Sequence, residues 1–182
     1  MDKIIRAHLD NIRSEDGLLQ NKAYFALMDA TEKIVDWAYE AWDKLVEGLT
    51  HKDNHVRAIS SQILTHLAKS DPKGRIFKDF DKLLNVTKDE RFVTARHCMQ
   101  ALWNVGVVSK KHQRMYVEGM SGRFKECIKE KNGHLIRYDI LVSMRNVYNE
   151  IGDESIREKA QVLIESEKDL KNKKKYATVW KK

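Results

Sequence analysis

A pattern of apolar and small residues recurs four times along this chain, in steps close to forty residues. The clearest copy reads Asp53-x-x-Val56-Arg57-x-x-Ser60-x-x-Ile63-Leu64-x-x-Leu67. A second runs Asp16-x-x-Leu19-x-x-x-Ala23-x-x-Ala26-Leu27-x-x-Ala30, and a third Ile136-Arg137-x-x-Ile140-x-x-Ser143-Met144-x-x-Val147. The fourth, Thr94-x-x-x-Cys98-x-x-Ala101-Leu102-x-x-Val105, is the most degenerate. Their first slots fall at 19, 56, 94 and 136, giving steps of 37, 38 and 42 residues. Within each copy the spacing is helical, and two helices with their turns occupy about forty residues in an α-solenoid. The expected fold is therefore all-α: an α-solenoid of about four helical repeats, an α-α superhelix. One proline in 182 residues, and the lack of alternating β-branched runs, argue against a sandwich or barrel.

Apolar spacing and turn residues together predict the helices. A short helix near residues 3–12 is followed by one that Asp16 caps and that reaches about Ala30. Thr31 is expected to cap the next, with Ile34, Val35, Ala38, Ala41, Trp42, Leu45 and Leu49 on its apolar face. Asp53 caps a helix through Lys69, which Asp71-Pro72-Lys73-Gly74 ends. Further helices are predicted at about 75–85, from Thr87 or Asp89 to Gly106, and from Ser109 to about Lys131. Gly119 and Gly122 are expected to bend or split the last of these. The final pair runs from Asn132 or Gly133 to Ile151 and from Glu154 to about Leu170. Glycines at 17, 48, 74, 106, 133 and 152 fall near helix ends, where positive φ is often needed.

The pattern Asp-x-x-Val-Arg-x-x-small-x-x-small-Leu-x-x-Leu, carried by Asp53, Val56, Arg57 and Leu64 and in part by Ile136 and Arg137, resembles the second-helix signature of HEAT repeats. Asp153-Glu-Ser-Ile156-Arg157-x-x-Ala160 echoes its start. The resemblance covers most of residues 16–165 and implies a curved stack whose second helices line the concave side. Gln20 and Ala95 replace the arginine in two copies. Physical reasons for the pattern stand apart from the family. The aspartate caps a helix, small residues let neighbouring helices approach, and the leucines extend the apolar stripe. An arginine after the first apolar slot can reach a neighbour's acidic cap, so Arg57 and Arg137 are expected to be ladder residues.

The net charge of +7 is unevenly distributed: residues 168–182 hold seven lysines and one aspartate, which leaves +1 for residues 1–167. The expected organisation is a helical-repeat domain over 1–167 followed by a lysine-rich C-terminal tail over 168–182. In that tail Lys171, Lys173, Lys174, Lys175, Lys181 and Lys182 would meet phosphates, with Tyr176 and Trp180 available for stacking. The alternative is a solubilising terminus, or Trp180 folding back to cap the last repeat. No apolar run reaches the roughly 18 residues a membrane span needs, no secretory signal opens the sequence, and two cysteines are too few for a disulfide framework. A reduced, cytoplasmic protein is expected.

No phosphate-binding glycine loop, GxSxG or HExxH occurs. His51-Lys52-Asp53-Asn54-His55 straddles a helix start and reads as a capping turn, not a metal site. Cys98 and Cys127 lack zinc spacing and read as core thiols. No cofactor, metal or catalytic residue is therefore assigned. Asp36, Glu40, Asp43 and Glu47 form an acidic stripe, read as a solvated face with a docking strip for a basic partner as the alternative. Arg96, Trp103, Tyr138, Arg145 and Asn149 lie off the apolar stripe on helices expected to face inward, and form the candidate contact patch.

The function these features favour is a non-enzymatic protein-interaction or scaffold module, with another protein as partner. The alternative is a nucleic-acid-binding protein, since the sequence is also similar to the alkylated-DNA glycosylases built of HEAT-like repeats, which cradle a duplex in a basic concave face. The near-neutral charge of residues 1–167 departs from that pattern, and no residue matches that family's catalytic aspartate.

Overall fold

Asp16 and Asp53, read as helix caps, and Asp153, which opens the echo of their pattern, sit where the chain turns into helix. Asp16 accepts from the Leu18 amide at 2.8 Å, Asp53 from the His55 amide at 2.8 Å and Asp153 from the Ser155 amide at 3.0 Å. Each satisfies a backbone donor with no partner inside its helix. The structure, a computed structural model, describes residues 1–181 and is all-α, with no strand among the described residues. The helices are α1 (Lys3–Asn11), α2 (Gly17–Ala30), α3 (Ala38–Gly48), α4 (Asn54–His66), α5 (Ile76–Val86), α6 (Phe92–Ala101), α7 (Trp103–Gly106), α8 (Lys110–Glu126), α9 (Gly133–Ile151), α10 (Glu154–Glu165) and α11 (Leu170–Val179). No helix among the described residues is long and apolar enough to cross a membrane.

Contacts divide the chain into two compact units, Met1–Cys98 and Met99–Lys182. In the first, α1 packs on α2, α3 on α4, and α4 on both α2 and α5. Its core holds Leu27, Trp42, Leu45, Ile63, Leu64, Leu67, Ile76 and Leu83, all fully buried. In the second unit α9 is central, packed against α7, α8, α10 and α11, around Tyr116, Phe124, Ile140, Met144 and Tyr176.

Several expectations need correction. Thr31 ends α2 instead of opening α3: its hydroxyl donates to the Leu27 carbonyl at 2.8 Å. A threonine serves a helix end as donor as readily as a start as acceptor. Helix α3 consequently begins only at Ala38, and Ile34 stands exposed in the connection. Leu19 is half exposed, while Gln20 turns inward and donates to the Ile12 carbonyl at 3.0 Å. Gly119 and Gly122 do not split α8, which runs unbroken. The helix expected to reach Gly106 breaks after Ala101, the last expected helix stops at Glu165, and a further helix, α11, forms within the segment expected to be a tail.

Among the glycines only Gly74 and Gly152 adopt positive φ. Gly48 is required by close approach instead: a Cβ there would lie 2.1 Å from Ser60 Oγ, where α3 meets α4. Ser60 is fully buried, and its hydroxyl has no hydrogen-bond partner among the described residues. The two positions thus predict effects of opposite sign. Gly48→Ala overpacks the contact and should cost about 1–3 kcal/mol. Ser60→Ala removes an unpaired buried hydroxyl and should leave stability unchanged or raise it by up to about 1 kcal/mol. Urea unfolding of both variants checks this, and a clear loss in Ser60→Ala would contradict the packing described.

Candidate functional site

Side chains one helix pair apart tie α2, α4 and α6 into a row in the first unit. The Tyr24 hydroxyl on α2 donates to Gln62 Oε1 on α4 at 3.0 Å. The Thr94 hydroxyl on α6 donates to the Asn54 carbonyl on α4 at 3.3 Å. Arg57, also on α4, grips Asp89 ahead of α6 with two bonds of 2.5 and 2.8 Å. Asp89 in turn accepts from the Arg91 amide at 2.8 Å, so this guanidinium fixes the entry to α6. Burial pushes the Asp89 carboxyl up, but the bonds from Arg57 and the Arg91 amide outweigh it and hold the pKa below its usual value. Arg57 is therefore a structural contact between α4 and the entry to α6.

An open groove of about 860 Å³ runs along this row. Tyr24 and Phe25 of α2 form one wall, Ala58, Ile59 and Gln62 of α4 the floor, and Phe92, Val93 and His97 of α6 the other wall. Phe25 is 64% exposed and Val93 63%, unusual for large apolar side chains with no partner covering them. Its formally charged lining residues are Glu15, Asp53 and Arg91. Burial would raise the Asp53 pKa, but hydrogen bonds from His55 and Gln20 lower it overall, so that carboxylate is already committed. Residues 1–98 hold sixteen basic and sixteen acidic side chains, so the groove sits in an electrically balanced unit.

The candidate contact residues do not form one set. Arg96, in the first unit, has its guanidinium 5.7 Å from the Phe92 ring. Trp103, Tyr138, Arg145 and Asn149 belong to the second unit. Trp103 is partly buried and Asn149 exposed. Arg145 lies 5.3 Å from both the Tyr148 and Trp180 rings, and Lys175 Nζ lies 4.8 Å from the Tyr138 ring. Much of the α9 surface expected to meet a partner is thus met by α11.

The lysine-rich segment is ordered from Leu170 to Val179 as that helix. Asp169 caps it by accepting from the Asn172 amide at 2.7 Å, and Tyr176, fully buried, donates to the His134 carbonyl at 2.9 Å. Trp180 is 7% exposed, so neither aromatic is available for stacking on a base. Lys173 pairs with Glu165 at 2.6 Å, while Lys171, Lys174, Lys175 and Lys181 are exposed. Lys182 lies outside the described residues.

The acidic stripe on α3 is met from neighbouring helices: Glu47 by Arg13 at 3.1 Å, Glu40 by Arg6 at 3.8 Å, and Asp43 by Arg75. The three carboxylates stay solvent-exposed, and Asp36, ahead of α3, is exposed as well. His51 Nδ1 accepts from the Asp53 amide at 3.1 Å, completing the capping turn. Cys98 is fully buried, its thiol donates to the Leu83 carbonyl, and burial pushes its pKa up to about 12. It is a poor nucleophile at neutral pH. Among the described residues no group of three or more His, Cys, Asp or Glu could hold a metal ion.

No family model matches this chain, and no curated protein matches it. Among solved structures it is similar to an engineered protein, with a TM-score of 0.56 and 15% identity over 98% of this chain and 79% of that one. At that identity the likeness concerns the fold alone: the class defined is an all-α protein, and the groove must be interpreted from its own chemistry.

Proposed function

We propose that this chain is a HEAT-like α-solenoid acting as a protein-interaction module, and that the α2/α4/α6 groove is its contact surface. Exposed Phe25 and Val93 flanking a preformed groove carry this reading. Apolar and aromatic anchors in a concave site are what protein interfaces use for affinity. The repeat architecture is supported by hydrogen bonds one period apart: Tyr24 to Gln62, 38 residues on; Trp42 to Asp79, 37 on; and Tyr176 back to His134, 42 earlier. Those separations match the steps in the sequence. With Arg91 as its one Lys or Arg beside Glu15 and Asp53, the groove favours an uncharged, apolar peptide segment over a nucleic acid, which would require several unpaired cations there.

Selection of a random peptide library on the intact protein tests this. Recovered peptides should carry an apolar or aromatic residue at a fixed position. Phe25→Asp should weaken their binding at least tenfold while leaving thermal unfolding within a few degrees, because the side chain is mostly exposed. Peptides that bind the Phe25→Asp variant as tightly as the parent would refute the assignment.

A further inference from the structure

We infer that the exposed face of α11 is a docking surface for the phosphate backbone of a nucleic-acid duplex, distinct from the groove. Lys171, Lys174 and Lys175 lie on the side of this helix opposite Tyr176 and Trp180, and Lys168 flanks its start. All four lysines are exposed, and none has a carboxylate within ion-pair reach among the described residues. The nearby acids are committed elsewhere. Glu165 holds Lys173, Glu167 holds Arg137 at 2.8 Å, and Asp169 caps the helix. Four cations are therefore presented together on a helix anchored by two buried aromatic residues.

The chemistry of this face selects among polyanions. It contains lysine and no arginine, and protein interfaces are depleted in lysine while enriched in arginine and aromatic residues. Leu170 is the one large apolar side chain exposed on α11, too little to enter a bilayer. Single-strand recognition relies on aromatic stacking, and Tyr176 and Trp180 are buried. What remains is a duplex, whose dense phosphates reward point charges through counterion release without reading sequence. The α9 ring nearest the face, Tyr138, already lies under Lys175.

The test is fluorescence anisotropy of a labelled DNA duplex with the full chain across a salt series. Four phosphate contacts predict a log–log slope of about −3 to −4, or roughly a hundredfold loss between 50 and 200 mM salt. Replacing Lys168, Lys171, Lys174 and Lys175 with Gln should bring the slope close to zero, and Lys171→Gln with Lys174→Gln should remove about half. Lys33→Gln with Lys52→Gln, exposed lysines of the first unit, should change neither slope nor affinity. Far-UV circular dichroism should be the same for all forms. An unchanged slope in the fourfold variant overturns the proposal, as does no duplex binding at 50 mM salt. Tighter binding to a single strand of equal length, to polyglutamate or to phosphatidylserine vesicles overturns it as well. Because Phe25 is not involved, failure here leaves the groove reading standing, and the reverse also holds.

Discussion

Trp42→Ala should be among the most destabilising single substitutions in the first unit, costing about 3–5 kcal/mol. The indole is fully buried where α3 faces α5, and its Nε1 donates to Asp79 Oδ2 at 2.9 Å. Arg75 adds a guanidinium 5.6 Å from the ring, and Tyr39 a tilted ring at 6.0 Å. Truncation therefore removes a large apolar volume and strips a hydrogen bond from a buried carboxylate. Burial alone would raise the Asp79 pKa; hydrogen bonds from Lys82 and Trp42 bring it below the usual value. Trp42→Phe separates the two contributions. It keeps most of the volume and loses only the N–H, so about 1–3 kcal/mol should be lost. Native domains have about 5–15 kcal/mol in total, so the alanine variant should unfold at markedly lower urea concentration. Equal losses for the two variants would show that the hydrogen bond, not the packing, dominates at this site.

What the sequence revealed, and what it concealed, follows from how locally each feature is specified. Asp16, Asp53 and Asp153 act within three residues of themselves, so the helix starts they cap were readable. Arg57 was readable as a ladder residue because its slot recurs, although the acid it grips lies 32 residues away. Thr31 was misread because one hydroxyl can serve either end of a helix. The helix at 170–179 was concealed by its lysines: seven lysines in fifteen residues resemble a tail, while the anchoring contacts of Tyr176 and Trp180 are long-range. The groove was missed for a related reason. Phe25 lies off the apolar stripe of its helix, and that displacement was the available signal. The tertiary pairing of Tyr24 with Gln62 and of Asn54 with Thr94, which makes a row of α2, α4 and α6, leaves no mark on any single segment.

The second large effect concerns Arg137 and Glu167, and it decides whether an arginine in the repeat slot works for the fold or for a ligand. Both side chains are buried, 6% and 8% exposed, and joined at 2.8 Å. Arg137 also donates from Nε to the Phe124 carbonyl at 2.8 Å and lies 4.4 Å from the Phe124 ring. Glu167 uses its other oxygen to accept from the Asp169 amide at 2.9 Å, just before α11. The pair thus links α9 to the entry of α11, as Arg57 and Asp89 link α4 to α6. Removing one member leaves the other charge buried without its counter-ion, so Glu167→Ala and Arg137→Met should each cost about 3–5 kcal/mol. Replacing both with methionine removes both charges and should cost much less than the sum of the single losses. Hydrogen exchange in Glu167→Ala should rise first over residues 168–180, because the carboxylate organises that turn. Strict additivity in the double-mutant cycle would mean that the two charges do not depend on one another. A large coupling would place Arg137 in the fold, leaving the exposed lysines of α11 as the cations free to meet a partner.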